Sequence, residues 1–114
     1  MDYDAFARDW EAGWNSHDLT RILNHYAEGV VFRSHKAVQL VGQGELHGKG
    51  QLRAYWQQAL SKQPDLKFRV TDVFHGHGML VIAYENHRGV LAAETLRFGP
   101  DGLVVEASAC HRPL

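Results

Sequence analysis

The sequence lacks the features that would assign it to several large classes of protein. Its single cysteine, Cys110, cannot form an internal disulfide, which is typical of a protein in the reducing cytoplasm. The formal net charge is −1, so there is no basic field to hold nucleic acid or an anionic membrane. No apolar run approaches the ~20 residues of a membrane span, and the first residues, Met1-Asp2-Tyr3-Asp4, are acidic, unlike an apolar signal segment. We therefore expect a cytoplasmic protein without a nucleic-acid or membrane partner.

Length and composition indicate one globular domain. The chain has 114 residues, of which 45% are hydrophobic. A chain of this size buries roughly 65% of the surface that it exposes when unfolded, which is enough for one core. Because the sequence holds no internal repeat and no low-complexity linker, we expect a single domain over residues 1–114.

The first helix is predicted by an aromatic stripe. Phe6, Trp10 and Trp14 recur every four residues, so they share one face of a helix that ends near Trp14. Asp2 or Asp4 can cap its N-terminus.

Two further helices follow from the same kind of pattern. One runs from Leu19 to Tyr26, with Ser16 or Asp18 as its N-cap. The other spans about residues 50–62 and ends before Pro64.

The remainder of the chain is predicted as β-structure, because it is rich in β-branched and aromatic residues and is interrupted by glycine-containing turns. Residues 36–47 are predicted as a short strand or a loop. The order of elements indicates an α+β fold in which the helices lie on one side of an antiparallel meander. The predicted strands span residues 30–35, 66–75, 79–87, 90–98 and 103–111.

One strand suggests a second copy of the chain. In the segment Met79–Tyr84 both alternating faces are apolar, and a strand of this kind is usually covered on both sides. Three helices can cover one face of a sheet. We therefore expect a homodimer that forms through the outer face of the sheet, although central strands with some exposed aliphatic residues would give the same pattern.

Several short pieces, taken in order, resemble the nuclear transport factor 2-like superfamily, in particular its small SnoaL-like members. The resemblance implies a cone-shaped α+β fold in which three helices from the N-terminal half pack on the concave face of a strongly curved sheet that is mixed but mostly antiparallel. It also implies an apolar pocket at the wide end of the cone. The pieces are Trp14-Asn15 with Asp18-Leu19, Tyr26–Phe32, Gly48-Lys49 with Leu52–Trp56, and Glu94–Phe98 followed by Asp101-Gly102.

The resemblance also implies a range of chemistry. Known members include ketosteroid isomerases, limonene-epoxide hydrolases, scytalone dehydratases and polyketide cyclases. In the isomerases a general-base Asp follows the Tyr-Ala-acid motif, and counting from Tyr26 places that position at Ser34, with His35 beside it. The cyclases use a carboxylic acid for an aldol step, for which Glu94 is the nearest candidate.

Glu94, His111 and His35 are the candidate catalytic residues. Glu94 follows the apolar run Val90–Ala93, where an ionised carboxylate is costly unless it is paired. Burial in an apolar pocket raises the pKa of a carboxyl group, and a histidine exchanges protons near neutral pH. Together they could transfer a proton next to a carbonyl. In the alternative interpretation Glu94 faces solvent or pairs with an arginine.

The candidate ligand-binding residues are mostly aromatic, and the same residues could equally form an ordinary core. We expect no cofactor. We also expect no metal, because the pair His75 and His77 is too few for a site of three or four ligands. The ligand-binding candidates are Trp10, Trp14, Phe32, Tyr55, Trp56, Tyr84 and His87.

The sequence therefore favours a small-molecule-binding protein of the SnoaL-like kind. If it is an enzyme, we expect a cofactor-free isomerase, cyclase or dehydratase that acts by acid–base chemistry on a small apolar carbonyl or hydroxyl compound. The alternative is a non-catalytic module of the same fold that binds a ligand or another protein.

Overall fold

The computed structural model describes residues 1–113, in which four helices and six strands alternate along the chain. The helices are α1 (Tyr3–Ser16), α2 (Leu19–Leu23), α3 (His35–Val41) and α4 (Gly48–Lys62). The strands are β1 (Tyr26–Ser34), β2 (Glu45–His47), β3 (Phe68–His75), β4 (Met79–Asn86), β5 (Leu91–Phe98) and β6 (Val104–Arg112).

The strands form one sheet in the order β2-β1-β6-β5-β4-β3. β1 and β6 are parallel, and the other neighbouring strands are antiparallel. The last four strands form the meander that the sequence predicts, and β1 then packs beside β6 at the far edge of that meander. The fold is therefore the expected α+β arrangement with a mixed, mostly antiparallel sheet.

The first two helices begin at side-chain caps, as predicted. The carboxylate of Asp2 accepts a hydrogen bond from the Ala5 amide at 2.9 Å, and that of Asp18 accepts one from the Arg21 amide at 3.2 Å. Asp2 and Asp18 are therefore the caps among the alternatives that the sequence left open. α1 ends at Ser16, and the next residue, His17, caps it with a left-handed φ of 61°.

Two predicted boundaries are wrong, and both errors concern β1. The second helix ends at Leu23, and Tyr26 begins the strand because it pairs with Val104 of β6. At its other end β1 ends at Ser34, whose hydroxyl accepts a hydrogen bond from the Lys36 amide at 3.2 Å and so begins α3.

The segment predicted as a short strand or loop therefore contains a helix, α3, and then the strand β2. Ala37 anchors α3 in the core with no exposed surface, and Gly42, with φ of 82°, ends it. The number of helices in residues 1–113 is four, where the sequence predicts three. The missed helix is short, and its sequence shows little amphipathic pattern.

The core lies between α1, α4 and one face of the sheet. Inward residues of neighbouring strands line up in rows, and the row of Leu80, Leu96, Ala107 and Phe32 is wholly buried. The other face of the sheet carries half-buried residues such as Val81, Ala83 and Ala93. None of the helices among residues 1–113 has both the length and the apolar character that a membrane crossing demands.

Candidate functional site

A cavity of about 80 Å³ lies between α4 and the inner face of the sheet. Its floor and walls are buried, whereas several polar residues at its mouth are half-buried. An engineered cavity of about 150 Å³ takes up benzene, so the enclosed space holds only part of a ring-sized ligand. The lining residues include Trp14, Phe32, Ser34, Lys36, Tyr55, Trp56, Gln63, Phe68, Tyr84, Asn86, Ala92, Glu94, Ala109 and His111.

Two alanines on the sheet leave room for this cavity. In the row nearer the mouth, Ala92 lies between Tyr84 and His111. In the next row, Ala109 lies between Glu94 and Ser34. Side chains two residues apart on a strand point to the same face, so Ala92 of β5 and Ala109 of β6 face the cavity as diagonal neighbours. Larger side chains surround this gap on every strand, and the cavity fills the gap.

Glu94 is the one carboxylate among the described residues that line the cavity, and only 4% of it is exposed. Burial raises its pKa from the ordinary value of 4.5 to about 7, because the charged form loses its hydration. The Tyr84 hydroxyl donates a hydrogen bond to Oε2 at 3.2 Å, which stabilises the carboxylate and opposes part of that rise. At neutral pH Glu94 is therefore able both to accept and to donate a proton.

Three tyrosines lie near this carboxylate. Burial, with a further contribution from the charge of Glu94, raises the pKa of Tyr26 and Tyr84 well above the ordinary value and that of Tyr55 less strongly. All three phenols stay protonated at neutral pH and can act as hydrogen-bond donors. In the described chain the Tyr26 hydroxyl is buried without a hydrogen-bond partner.

His111 lies at the mouth of the cavity, diagonal to Glu94 on the neighbouring strand. Burial, and then the positive charge of Lys36, lower its pKa from 6.5 to about 4. The imidazole is therefore neutral near pH 7. Its Nδ1 atom is buried and has no hydrogen-bond partner within residues 1–113.

Aromatic rings form the helix side of the cavity. Trp56 of α4 packs edge-on against Trp14 of α1, with 4.9 Å between ring centroids, and against Phe32 of β1 at 5.6 Å. Tyr55 lies 6.1 Å from Phe32. These four expected ligand-binding residues and Tyr84 therefore line the cavity, while they also belong to the core.

Three expected site residues lie outside the cavity lining. Trp10 is buried behind it, with its ring centroid 5.1 Å from that of Tyr84. His87 lies in the turn after β4, with Nε2 at 3.4 Å from an Asp65 carboxylate oxygen. His35 is exposed as the first residue of α3. The expectation that His35 lies in the pocket fails because Ser34 occupies the inner face of β1, and the alternation of a strand turns the next residue away from the cavity.

Ser34 and Lys36 line the cavity but were not among the expected site residues. A signal for Ser34 was present, since counting from Tyr26 along the isomerase pattern ends at this position. Lys36 gave no such signal, because its segment was predicted as a strand or loop. Across residues 1–113, no three or more His, Cys, Asp or Glu side chains are grouped as metal ligands would be.

Comparisons with known proteins identify the family of the chain. The sequence model of the SnoaL-like domain matches residues 7–112. A SnoaL-like protein of unknown function from Burkholderia thailandensis is 42% identical, with 96% of this chain and 92% of that one covered and a TM-score of 0.92. A search of curated proteins finds no match.

More distant structures share the fold alone. A suspected isomerase of the SnoaL-like family from Agrobacterium tumefaciens is 14% identical, with 94% of each chain covered and a TM-score of 0.74. A nuclear transport factor 2-like protein of unknown function from Cytophaga hutchinsonii is 12% identical, with 99% of this chain and 94% of that one covered, also at 0.74. The chain therefore belongs to the SnoaL-like domain family and has the cone-shaped fold of the nuclear transport factor 2-like proteins.

Proposed function

We propose that this protein binds a small, mostly apolar carbonyl or hydroxyl compound and moves a proton on it without a cofactor. One observation carries the proposal: a buried carboxylate, Glu94, with a pKa of about 7, lies on the floor of an aromatic cavity. General acid–base catalysis is most effective when the catalytic group titrates near the working pH. Isomerisation, cyclisation and dehydration all include such a proton transfer.

In the proposed reaction Glu94 is the proton acceptor. Its Oε2 atom accepts the hydrogen bond from Tyr84, so we assign proton transfer to Oε1. The ionised carboxylate takes a proton from carbon next to the ligand carbonyl, and the electron pair moves onto the carbonyl oxygen. The protonated Tyr55 hydroxyl can then donate a hydrogen bond to that oxygen, and Glu94 returns the proton at the new position.

In this proposal His111 binds the ligand, whereas the sequence predicts that it carries a proton. With a pKa of about 4 it is a weak base at neutral pH, so it is better suited to a hydrogen bond with the ligand than to storing a proton. His35 has no role in the proposed reaction because it does not line the cavity.

Deuterium exchange tests the proposal directly. In D₂O, the wild type should exchange protons next to the carbonyl in members of a panel of small cyclic ketones, as followed by NMR, and Glu94→Gln should not. Glu28→Gln is the matched control because Glu28 is exposed and does not line the cavity. Equal exchange in wild type and Glu94→Gln would refute the role of Glu94.

A second candidate is a non-catalytic binding module of the same fold. It is favoured by the presence of one titrating group near neutral pH in the cavity, since many acid–base enzymes use two. Native mass spectrometry on freshly purified protein separates the two: a retained organic mass without any exchange activity supports the binder.

We also propose a homodimer through the outer face of the sheet. Two observations favour it. Val81, Ala83 and Ala93 at the centre of that face are only half-buried, and Phe74, which pairs with Val81, is 55% exposed. The same mass spectra give the oligomeric state, and a monomer at micromolar concentration would refute the dimer. The cytoplasmic location stays a prediction that rests on the single cysteine, Cys110.

A further inference from the structure

The cavity is electrically asymmetric. Its floor carries the Glu94 carboxyl and the Ser34 hydroxyl, both about 5% exposed or less. Its mouth carries Lys36, which is half-buried and is the one permanent cation among the described lining residues. Within residues 1–113, no carboxylate lies within salt-bridge distance of the Lys36 ammonium.

We infer that the ligand is a planar ring that carries a hydroxyl or oxo group at one end and a carboxylate at the other. The oxygen end lies on the floor against Glu94 and Ser34, and the carboxylate lies at the mouth against Lys36. This inference rests on the proposed function, because it names the ligand class of the same site.

The ring follows from the shape and lining of the cavity. Six aromatic side chains line it, and their faces and edges favour contact with a flat, unsaturated molecule: Trp14, Phe32, Tyr55, Trp56, Phe68 and Tyr84. The enclosed volume of about 80 Å³ accommodates part of a ring, so the rest lies at the mouth.

The ligand carboxylate is inferred from the positions of the residues at the mouth. Diagonal residues on neighbouring antiparallel strands, such as Glu94 and His111, lie about 7–8 Å apart, which one ring with its two substituents can span. Lys36 is close enough to His111 for its charge to disfavour the imidazolium. A carboxylate there would neutralise the ammonium and could accept a hydrogen bond from the neutral His111 ring.

A pair of probes of one shape tests the inference. 4-Hydroxybenzoate and 4-hydroxybenzamide differ in the charge of one substituent, and amide NMR titrations measure both affinities. The wild type should bind the acid about fivefold more tightly than the amide, as expected of one partly exposed ion pair. Lys36→Gln should remove this preference, Lys36→Arg should keep it, and Lys49→Gln should leave it unchanged because Lys49 lies outside the cavity lining.

Three binding results would overturn the inferred ligand class or its orientation. Equal affinities in the wild type, or a preference that survives in Lys36→Gln, overturn the assignment of the carboxylate to Lys36. Absence of binding by both probes overturns the ring-anion class as a whole. None of these three results alters the deuterium-exchange comparison of wild type with Glu94→Gln, so failure of the ligand class is distinguishable from failure of the proposed function.

Discussion

Replacing Glu94 with glutamine should change how the stability of the protein depends on pH. The carboxyl has a pKa of about 7 in the folded protein and 4.5 as its ordinary value, which we take for the unfolded chain. The unfolded chain therefore ionises first, and ionisation favours unfolding. The resulting loss of folding stability is absent below pH 4.5, grows between pH 4.5 and pH 7, and is complete above pH 7.

The size of the effect follows from the two pKa values. One pKa unit corresponds to about 1.4 kcal/mol, so the full difference is on the order of 3 kcal/mol. The glutamine side chain of the variant carries no charge at any pH. The free energy of unfolding of the wild type, minus that of Glu94→Gln, should therefore fall by about this amount between about pH 4 and pH 8.

Urea unfolding curves followed by tryptophan fluorescence at several pH values give this difference. The other titrating groups are common to both proteins, so their contributions largely cancel. Glu28→Gln, at an exposed carboxylate outside the cavity lining, is the matched control. A flat difference for Glu94→Gln would show that the Glu94 carboxylate is hydrated or paired in the folded protein, and the acid–base proposal would lose its basis.

Three further substitutions have clear expected results. Tyr84→Phe removes the hydrogen bond to Glu94 and should raise the pKa of Glu94 above about 7. In urea unfolding curves, the stability difference between Tyr84→Phe and the double variant Tyr84→Phe/Glu94→Gln should then have its midpoint at a higher pH than the difference between wild type and Glu94→Gln. An unmoved midpoint contradicts this. Ala92→Leu should fill the cavity and weaken binding of both benzoic probes at least about tenfold in NMR titrations, with thermal melting as the check that the fold survives; unchanged affinity would mean that the ligand binds elsewhere. Ala93→Asp on the outer face should give a monomer in native mass spectra whereas Ala93→Ser stays dimeric, and a dimer in both would place the interface elsewhere.

The position of Glu94 could be predicted because an acidic residue after an apolar run in a strand is a strong pattern. The alternation of a strand then places it on the same face as Ala92 and Leu96, which are both buried. The aromatic lining could also be predicted, since bulky residues at helical spacing face the core. In this fold the pocket is the unfilled end of the core.

Other parts of the site could not be predicted from sequence. The inner face of β1 carries Phe32 and Ser34, so His35, which follows the end of the strand as the exposed first residue of α3, lies outside the cavity. That boundary depends on the Ser34 side chain capping a helix too short to show a clear periodicity. Lys36 lies in the first turn of this helix and lines the cavity. The neutral state of His111 depends on tertiary burial and on Lys36, neither of which is visible in the local sequence.

The hydroxyl of Ser34 connects the floor of the cavity with its mouth through one hydrogen bond. It lies on the floor, and by accepting the Lys36 amide hydrogen bond at 3.2 Å it also fixes the first turn of the helix that carries the mouth cation. A ligand oxygen that accepts a hydrogen bond from the Ser34 hydroxyl would polarise this group and strengthen the bond that the Lys36 amide donates to it. A ligand on the floor would therefore stabilise the first turn of α3, which carries Lys36. A substitution of Ser34 should therefore alter the affinity of Lys36, at the mouth of the cavity, for an anionic ligand group.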